Sequence, residues 1–216
     1  MSSSYISRLN NQIKQKKTVP LVGFDPRYDQ LPEEIVKKVE AKYSNTNEKV
    51  AAAFEEFCKR IIDVVAPLVP AVKPQAAFYE EWGPAGSTAL GNIMHYARQQ
   101  GLIVICDGKR NDIGSTATAY AHAYLAGSDA DASPWGADAL TVNPYMGSDT
   151  LEPFIQVAEE RGAGLYVLVR TSNPGSGRFQ NLEADGKPIY VHVAEEVETF
   201  AGKSELDRDT VRLELW

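Results

Sequence analysis

Apolar and polar positions along the chain fall into two alternating kinds of segment. Short apolar runs ending on polar residues occupy residues 18–25 (TVPLVGFD), 69–73 (VPAVK), 102–107 (LIVICD), 139–143 (ALTVN) and 164–170 (GLYVLVR). Each is too short for a helix and rich in β-branched residues, which predicts buried strands. Between them lie segments with helical spacing. Val50, Ala53, Phe54, Phe57, Ile61, Val64, Val65 and Leu68 share one face, while Glu55, Glu56, Lys59 and Arg60 lie opposite, the pattern of a helix packed on a sheet. Further helices are predicted over residues 115–125, stopping at Gly127, over 149–161, stopping at Gly162, and over 188–201; glycine just past the last turn is the usual stop signal. The polar stretches 26–32 and 42–49 predict one long loop after the first strand.

Strands alternating with helices imply parallel pairing, because only parallel neighbours need a crossover of this length. The fold class is therefore α/β, as a barrel or as an open doubly wound sheet. The chain has 216 residues, which predicts a single domain over 1–216. Its net charge of −7 disfavours nucleic acid and anionic membrane surfaces as partners. The first 20 residues are polar and lysine-rich, and no segment reaches the ~18 apolar residues of a membrane span, which points to a cytoplasmic location. Cys58 and Cys106 are 48 positions apart and read as free buried thiols, with neither a disulfide framework nor a metal knuckle.

In a parallel barrel, chemistry gathers at the C-terminal strand ends. Asp25 ends the first predicted strand, Lys73 the second, Asp107 and Lys109 the third, and Asn143 the fourth. Opposite charges supplied by several strands to one rim form a network that stability alone rarely requires. If the third strand continues, Asp107 and Lys109 point to the same side. Gly108 between them would permit close backbone approach, and Asp112, Ser115 and Thr116 follow in the loop and first helical turn. A neighbouring carboxylate at ~4 Å favours the charged lysine by roughly 4 kcal/mol at an effective dielectric of 20, which suits a proton donor rather than a Schiff base. Carboxylates placed there oppose an anionic substrate group, unless that group is lost in the reaction. Decarboxylation fits: a substrate carboxylate meets Asp107, leaves as carbon dioxide, and the carbanion sits beside Lys109.

The run DGKRNDIGSTATAYA from Asp107 to Ala121 closely resembles the Asp-x-Lys-x-x-Asp signature of the orotidine 5'-phosphate decarboxylase family, in its bacterial Asp-x-Lys-Arg-x-Asp-Ile-x-x-Thr-Ala form. GFDP at 23–26, VKPQAAFYE at 72–80, ADALTVNPYMG at 137–147 and VRTSNPGS at 169–176 match in family order. The resemblance implies a TIM (β/α)8 barrel, of which five or six β/α units are accounted for here. It also implies a homodimer with shared active sites and decarboxylation of orotidine 5'-monophosphate to uridine 5'-monophosphate, the last step of de novo pyrimidine biosynthesis, with neither cofactor nor metal. Carried over by motif position, Lys109 resembles the proton donor to C6 and Asp107 the carboxylate crowding the leaving group. Lys73 belongs to the same charged chain. Asp112 and Thr116 resemble the pair reaching into the partner's site. Asp25 resembles the residue holding the ribose hydroxyls, and Ser172 the residue contacting the pyrimidine. Asn143 stands where relatives often carry histidine.

His95, His122 and His192 fall in helical segments and match no family site residue, and Trp82 and Trp135, beside glycines, read as loop or packing residues. Asn173-Pro174-Gly175 reads as a mobile loop over the base. Family members carry their phosphate site on strands after the Ser172 loop, as a Pro-Gly turn and a terminal Gly-Arg pair. Residues 201–216 match neither, although 210–216 (TVRLELW) could supply a sixth strand. The expectation is a C-terminally incomplete barrel that binds nucleotide weakly and turns over poorly. A metal-dependent sugar-phosphate decarboxylase or synthase of the same barrel group, and a catalytically silent binding or scaffold fragment, are the alternatives; chelator sensitivity and titration with a nucleotide analogue separate them.

Overall fold

The structure is a computed structural model that describes residues 3–203. Helix α1 (Tyr5–Lys16) leads into β1 (Val22–Phe24), α2 (Glu33–Glu40), α3 (Thr46–Val65), β2 (Ala71–Pro74), α4 (Ala76–Glu80), α5 (Gly83–Gln99), β3 (Ile103–Arg110) and α6 (Gly114–Tyr124). Then follow β4 (Ala139–Val142), α7 (Glu152–Arg161), β5 (Gly164–Val167), α8 (Gly177–Gln180), the short strands β6 (Glu183–Ala184) and β7 (Lys187–Pro188), and α9 (Ile189–Lys203). The five main strands are parallel and lie in sequence order, β1-β2-β3-β4-β5. A doubly wound sheet reverses its order at a switch point. Sequential order without reversal is the winding of a barrel, so these five β/α units form part of one.

Period-two alternation divides the strand residues between two faces. Val72, Val104, Cys106, Leu140, Val142, Leu165 and Val167 face the helices, where they pack with Phe54 and Ile62 of α3, Leu90, Ile93 and Met94 of α5, and Phe154 and Val157 of α7. The opposite face carries Ala71, Ile103, Ile105, Ala139 and Tyr166, which form a second core with Tyr5, Ile6 and Leu9 of α1. Tyr5 stands edge-on to Tyr166, with ring centroids 6.2 Å apart and the two hydroxyls 2.7 Å apart. It fits only because Gly164 has no side chain: a Cβ there would lie 2.4 Å from the Tyr5 ring. Arg8 anchors α1 further, donating to the carbonyl of Gly162 and, at 2.7 Å, to the buried Asp138. Burial pushes the Asp138 carboxyl above its ordinary range, with Arg98 and Arg8 pulling it back. Helix α1 thus floors the sheet at the N-terminal ends of its strands.

The observed elements depart from the sequence expectation in several places. The first 20 residues contain α1, whose N-terminus is capped by the Ser4 side chain. The predicted loop over 26–32 and 42–49 is partly helical: it encloses α2, and α3 starts at Thr46 because the Asn45 side chain accepts from the amides of Asn47 and Glu48. Helices α4 and α5 fill the stretch between β2 and β3. The first and fifth strands are shorter than expected, and the third is longer. The stop at Gly162 (φ 64°) holds, whereas α6 ends at Tyr124, where Leu125 turns extended and bridges to Ala137, so Gly127 is not its cap; α9 takes up the predicted helix at 188–201 from Ile189 onward. The segment 210–216 lies outside the described residues.

Candidate active site

The C-terminal ends of β2, β3 and β4 bring their polar residues together on the face that α1 floors. Ala71, Ile105 and Ala139 belong to the apolar floor. Two residues further along each strand stand Lys73, Asp107 and Thr141, so the alternation that buries the first set lifts the second onto the rim. Asp107 is 3% exposed and accepts four hydrogen bonds. Its Oδ2 takes Lys73 Nζ at 2.8 Å and Gln75 Nε2 at 3.0 Å. Its Oδ1 takes Lys109 Nζ at 2.5 Å and the Thr141 hydroxyl at 2.9 Å. Burial works against the charged carboxylate, but the hydrogen bonds and charges of Lys109 and Lys73 outweigh it and hold the carboxyl below its ordinary range. Of the two lysines, Lys73 has a side chain 12% exposed and Lys109 one 43% exposed, so Lys109 is the cation that an incoming ligand meets.

Lys109 reaches this position by a route that simple strand alternation does not predict. Cys106 is paired with Leu140 and Arg110 with Val142, so β3 spends four residues where β4 spends two. The surplus is taken up in a bulge with Lys109 at φ 46°. A left-handed conformation at a non-glycine residue costs about 1–2 kcal/mol. Three fixtures hold it. The Lys109 amide donates to Thr141 Oγ1 at 2.8 Å. The Asn143 amide closes back onto the Arg110 carbonyl at 2.9 Å. The Arg110 side chain lies on the other face, bonded to Glu80 and to the Tyr124 hydroxyl and stacked over the Tyr124 ring. Gly108 is not what permits the geometry, since a Cβ there would meet nothing closer than 3.4 Å.

None of the other predicted site residues is among the hydrogen-bond partners of Asp107 named above. Asp25 is exposed just beyond β1. Asp112 turns onto its own loop, accepting from the Ile113 amide at 2.8 Å, and Ser115 and Thr116 are exposed on the first turn of α6. Asn143 accepts from the Tyr145 amide at 2.9 Å, a local turn bond. Ser172 lines an open cleft beyond β5 with Arg170, Asn173, Ser176 and Asn181. That loop is tied down by Arg170, which donates to Ser176 Oγ at 2.6 Å, and by Gln180, which accepts from the Thr171 amide.

Two contributors, Gln75 and Thr141, were not among the residues singled out from sequence. Their signal is a polar side chain within, or one residue beyond, an otherwise apolar strand. Cys58 and Cys106 are buried free thiols, each pushed up to about 12 by burial, and Cys106 points away from Asp107 as alternation requires. The histidines lie in α5, α6 and α9, and Trp135 stacks on Tyr124 at 5.1 Å. Among the described residues no group of three or more His, Cys, Asp or Glu is placed to hold a metal ion, and no helix is long and apolar enough to cross a membrane.

Comparison with known proteins identifies the family. Residues 32–205 match the model of the orotidine 5'-phosphate decarboxylase / HUMPS family. An orotidine 5'-phosphate decarboxylase of Rhodopirellula baltica is 56% identical over 206 residues, covering 95% of this chain and 67% of the relative. That of Caldicellulosiruptor bescii is 37% identical over 197 residues, covering 90% and 65%. Among solved structures, a putative orotidine 5'-phosphate decarboxylase from Streptomyces avermitilis superposes with a TM-score of 0.77 at 33% identity, over 95% of this chain and 67% of that one. The Leishmania donovani OMP decarboxylase gives 0.69 at 34%, over 92% and 65%. The chain thus spans about two thirds of the length of the relatives it matches. With a family model over most of its length and a relative more than half identical, this chain belongs to the orotidine 5'-phosphate decarboxylase / HUMPS family.

Proposed function

We propose that the chain decarboxylates orotidine 5'-monophosphate to uridine 5'-monophosphate, with Lys109 as proton donor. The observation that carries this reading is the buried Asp107 carboxylate clamped between Lys73 and Lys109 on one rim. A substrate carboxylate placed against Asp107 is repelled in the ground state and relieved as it departs as carbon dioxide. The electron pair left on C6 lies beside the exposed Lys109 ammonium, which delivers the proton. Repulsion of this kind helps only if binding energy elsewhere on the nucleotide holds the reacting end in place. Asp25 is assigned to the ribose hydroxyls and Ser172 to the pyrimidine. Asp112 and Thr116 are assigned to the partner subunit's site in a homodimer of single-domain subunits. The exposed Ile113, Tyr145 (88% exposed) and Met146 in the adjoining loops support that last assignment, as apolar surface of the kind a second copy would cover. A cytoplasmic location accords with a small nucleotide substrate.

The test is turnover of orotidine 5'-monophosphate, followed by ultraviolet absorbance, in the 216-residue chain and in the same chain continued to the length of its relatives. Lys109→Ala should reduce decarboxylation to background while circular dichroism stays unchanged. A Lys109→Ala protein that is folded and still turns over would reject the assignment.

A further inference from the structure

We infer that Thr141 is a positioning residue for the Asp107–Lys109 pair, its single hydroxyl fixing both the carboxylate and the left-handed backbone that carries the lysine. The inference rests on the decarboxylase reading for its catalytic consequence, but its geometry stands apart from it. The roles of the hydroxyl follow from chemistry. A backbone amide can only donate, so Thr141 Oγ1 accepts from Lys109 N at 2.8 Å. An ionised carboxylate can only accept, so the same oxygen donates its proton to Asp107 Oδ1 at 2.9 Å. Both bonds are shielded from water, since Thr141 is 2% exposed.

The position accounts for this double duty. Across the bulge, β3 has more backbone groups than β4 can match, and the Lys109 amide is one that the ladder does not serve. A polar side chain on the facing strand can replace the missing carbonyl only if it lies on the rim face. On β4 that register belongs to Thr141, two residues after the floor residue Ala139. The charged groups facing Asp107 among the described residues are Lys73 from β2 and Lys109 from β3, and Gln75 adds a neutral donor. Thr141 completes the set from β4. It is the contact that couples where Asp107 points to how the Lys109 backbone turns.

Thr141→Val keeps the shape and strand propensity and removes both bonds, whereas Thr141→Ser keeps both and removes a methyl. With orotidine 5'-monophosphate, Val should lower kcat by about 100-fold, the scale set by a small misplacement of reacting groups, with KM little changed. The acid limb of the pH profile should move up by about one unit, because the carboxylate loses a donor. Ser should restore both. In parallel, the Asp107 carboxyl is titrated by carbon-13 NMR and exchange of the Lys109 amide is measured, neither of which requires turnover. Val should raise the carboxyl midpoint and speed amide exchange, and Ser should do neither. An unchanged midpoint and exchange rate in Val, or a change in Ser as large as in Val, would overturn the inference. If Val does not fold, Thr141→Ala carries the same comparison. Absence of decarboxylase activity in the chain continued to the length of its relatives would sink the functional reading, and the NMR arm would still decide the role of Thr141.

Discussion

Replacing Asp107 with Asn tests whether the rim is held together by charge. The amide keeps the size of the carboxyl but presents one acceptor oxygen and one NH2 group to four donors, from Lys73, Gln75, Lys109 and Thr141. Two of the four then meet a donor rather than an acceptor, and two lysines on one rim lose their shared counter-charge. At a separation of ~4 Å and an effective dielectric of 20, each lysine–carboxylate attraction is about 4 kcal/mol. Against the pair of them stands the several kcal/mol needed to bury each ion. Because Lys109 is 43% exposed, its share is discounted for solvent screening. The net expectation is a loss of about 3 kcal/mol in urea unfolding at pH 7, at the low end for breaking a buried pair. The pH dependence has a definite sign. The folded Asp107 carboxyl lies below its ordinary range, so its contribution is complete above the unfolded pKa of ~3.9 and is lost as pH falls through the lower folded value. The difference between wild type and Asp107→Asn should therefore shrink only in that acid window. An Asn variant at least as stable as wild type at pH 7 would refute the argument and indicate that the site stores repulsion instead.

Two further substitutions probe the floor beneath the site. Arg8→Ala leaves Asp138 buried with Arg98 at 3.5 Å as its remaining cation, and should cost about 3 kcal/mol in urea unfolding at neutral pH. Burial already raises the Asp138 carboxyl, so that loss should shrink in acid as the group takes up a proton; a loss that grows in acid would contradict the assignment. Gly164→Ala drives a methyl into the Tyr5 ring and should lower stability by about 1–3 kcal/mol, with Tyr5→Ala in the same chain recovering part of the loss. A double variant no better than the sum of the two would show that α1 does not seat there.

The main strands were legible because burial on both faces leaves short apolar runs, and the strand-end residues Lys73 and Asp107 were legible because charge is conspicuous there. Helix α1 escaped reading because its partners lie far away in the sequence. Helix α1 has only Tyr5, Ile6 and Leu9 on its buried side, and their surroundings come from β2, β3, β4 and β5. Helix α5, where His95 already reads as helical, hides its start behind Gly-Pro-Ala-Gly, a composition that argues against a helix, yet a Cβ at Gly86 would lie 1.9 Å from the Tyr79 carbonyl, so glycine is needed where α4 and α5 meet. Its buried Leu90, Ile93, Met94 and Ala97 then provide the helical stripe.

The relation between Asp107 and Lys109 shows how a correct expectation can rest on incomplete grounds. Alternation along an unbroken strand predicts the two side chains on one side, and the ammonium is indeed on the carboxylate. Yet an unbroken strand would pair Gly108 with Val142, and here Arg110 takes that partner, so the strand is not what aims Lys109. The bulge is, and a bulge with a lysine at positive φ persists only where neighbours over-determine it. Those neighbours are Thr141 on the rim face and the Arg110–Tyr124–Glu80 cluster on the helix face. The motif Asp-Gly-Lys-Arg is therefore a unit in which alternate residues serve opposite faces. Asp107 and Lys109 form the charged site, while Arg110 holds from behind the turn that presents it. Chemistry is legible in the sequence for the first two and not for the third, because the use of Arg110 depends on tyrosines of a helix that forms only after the motif ends.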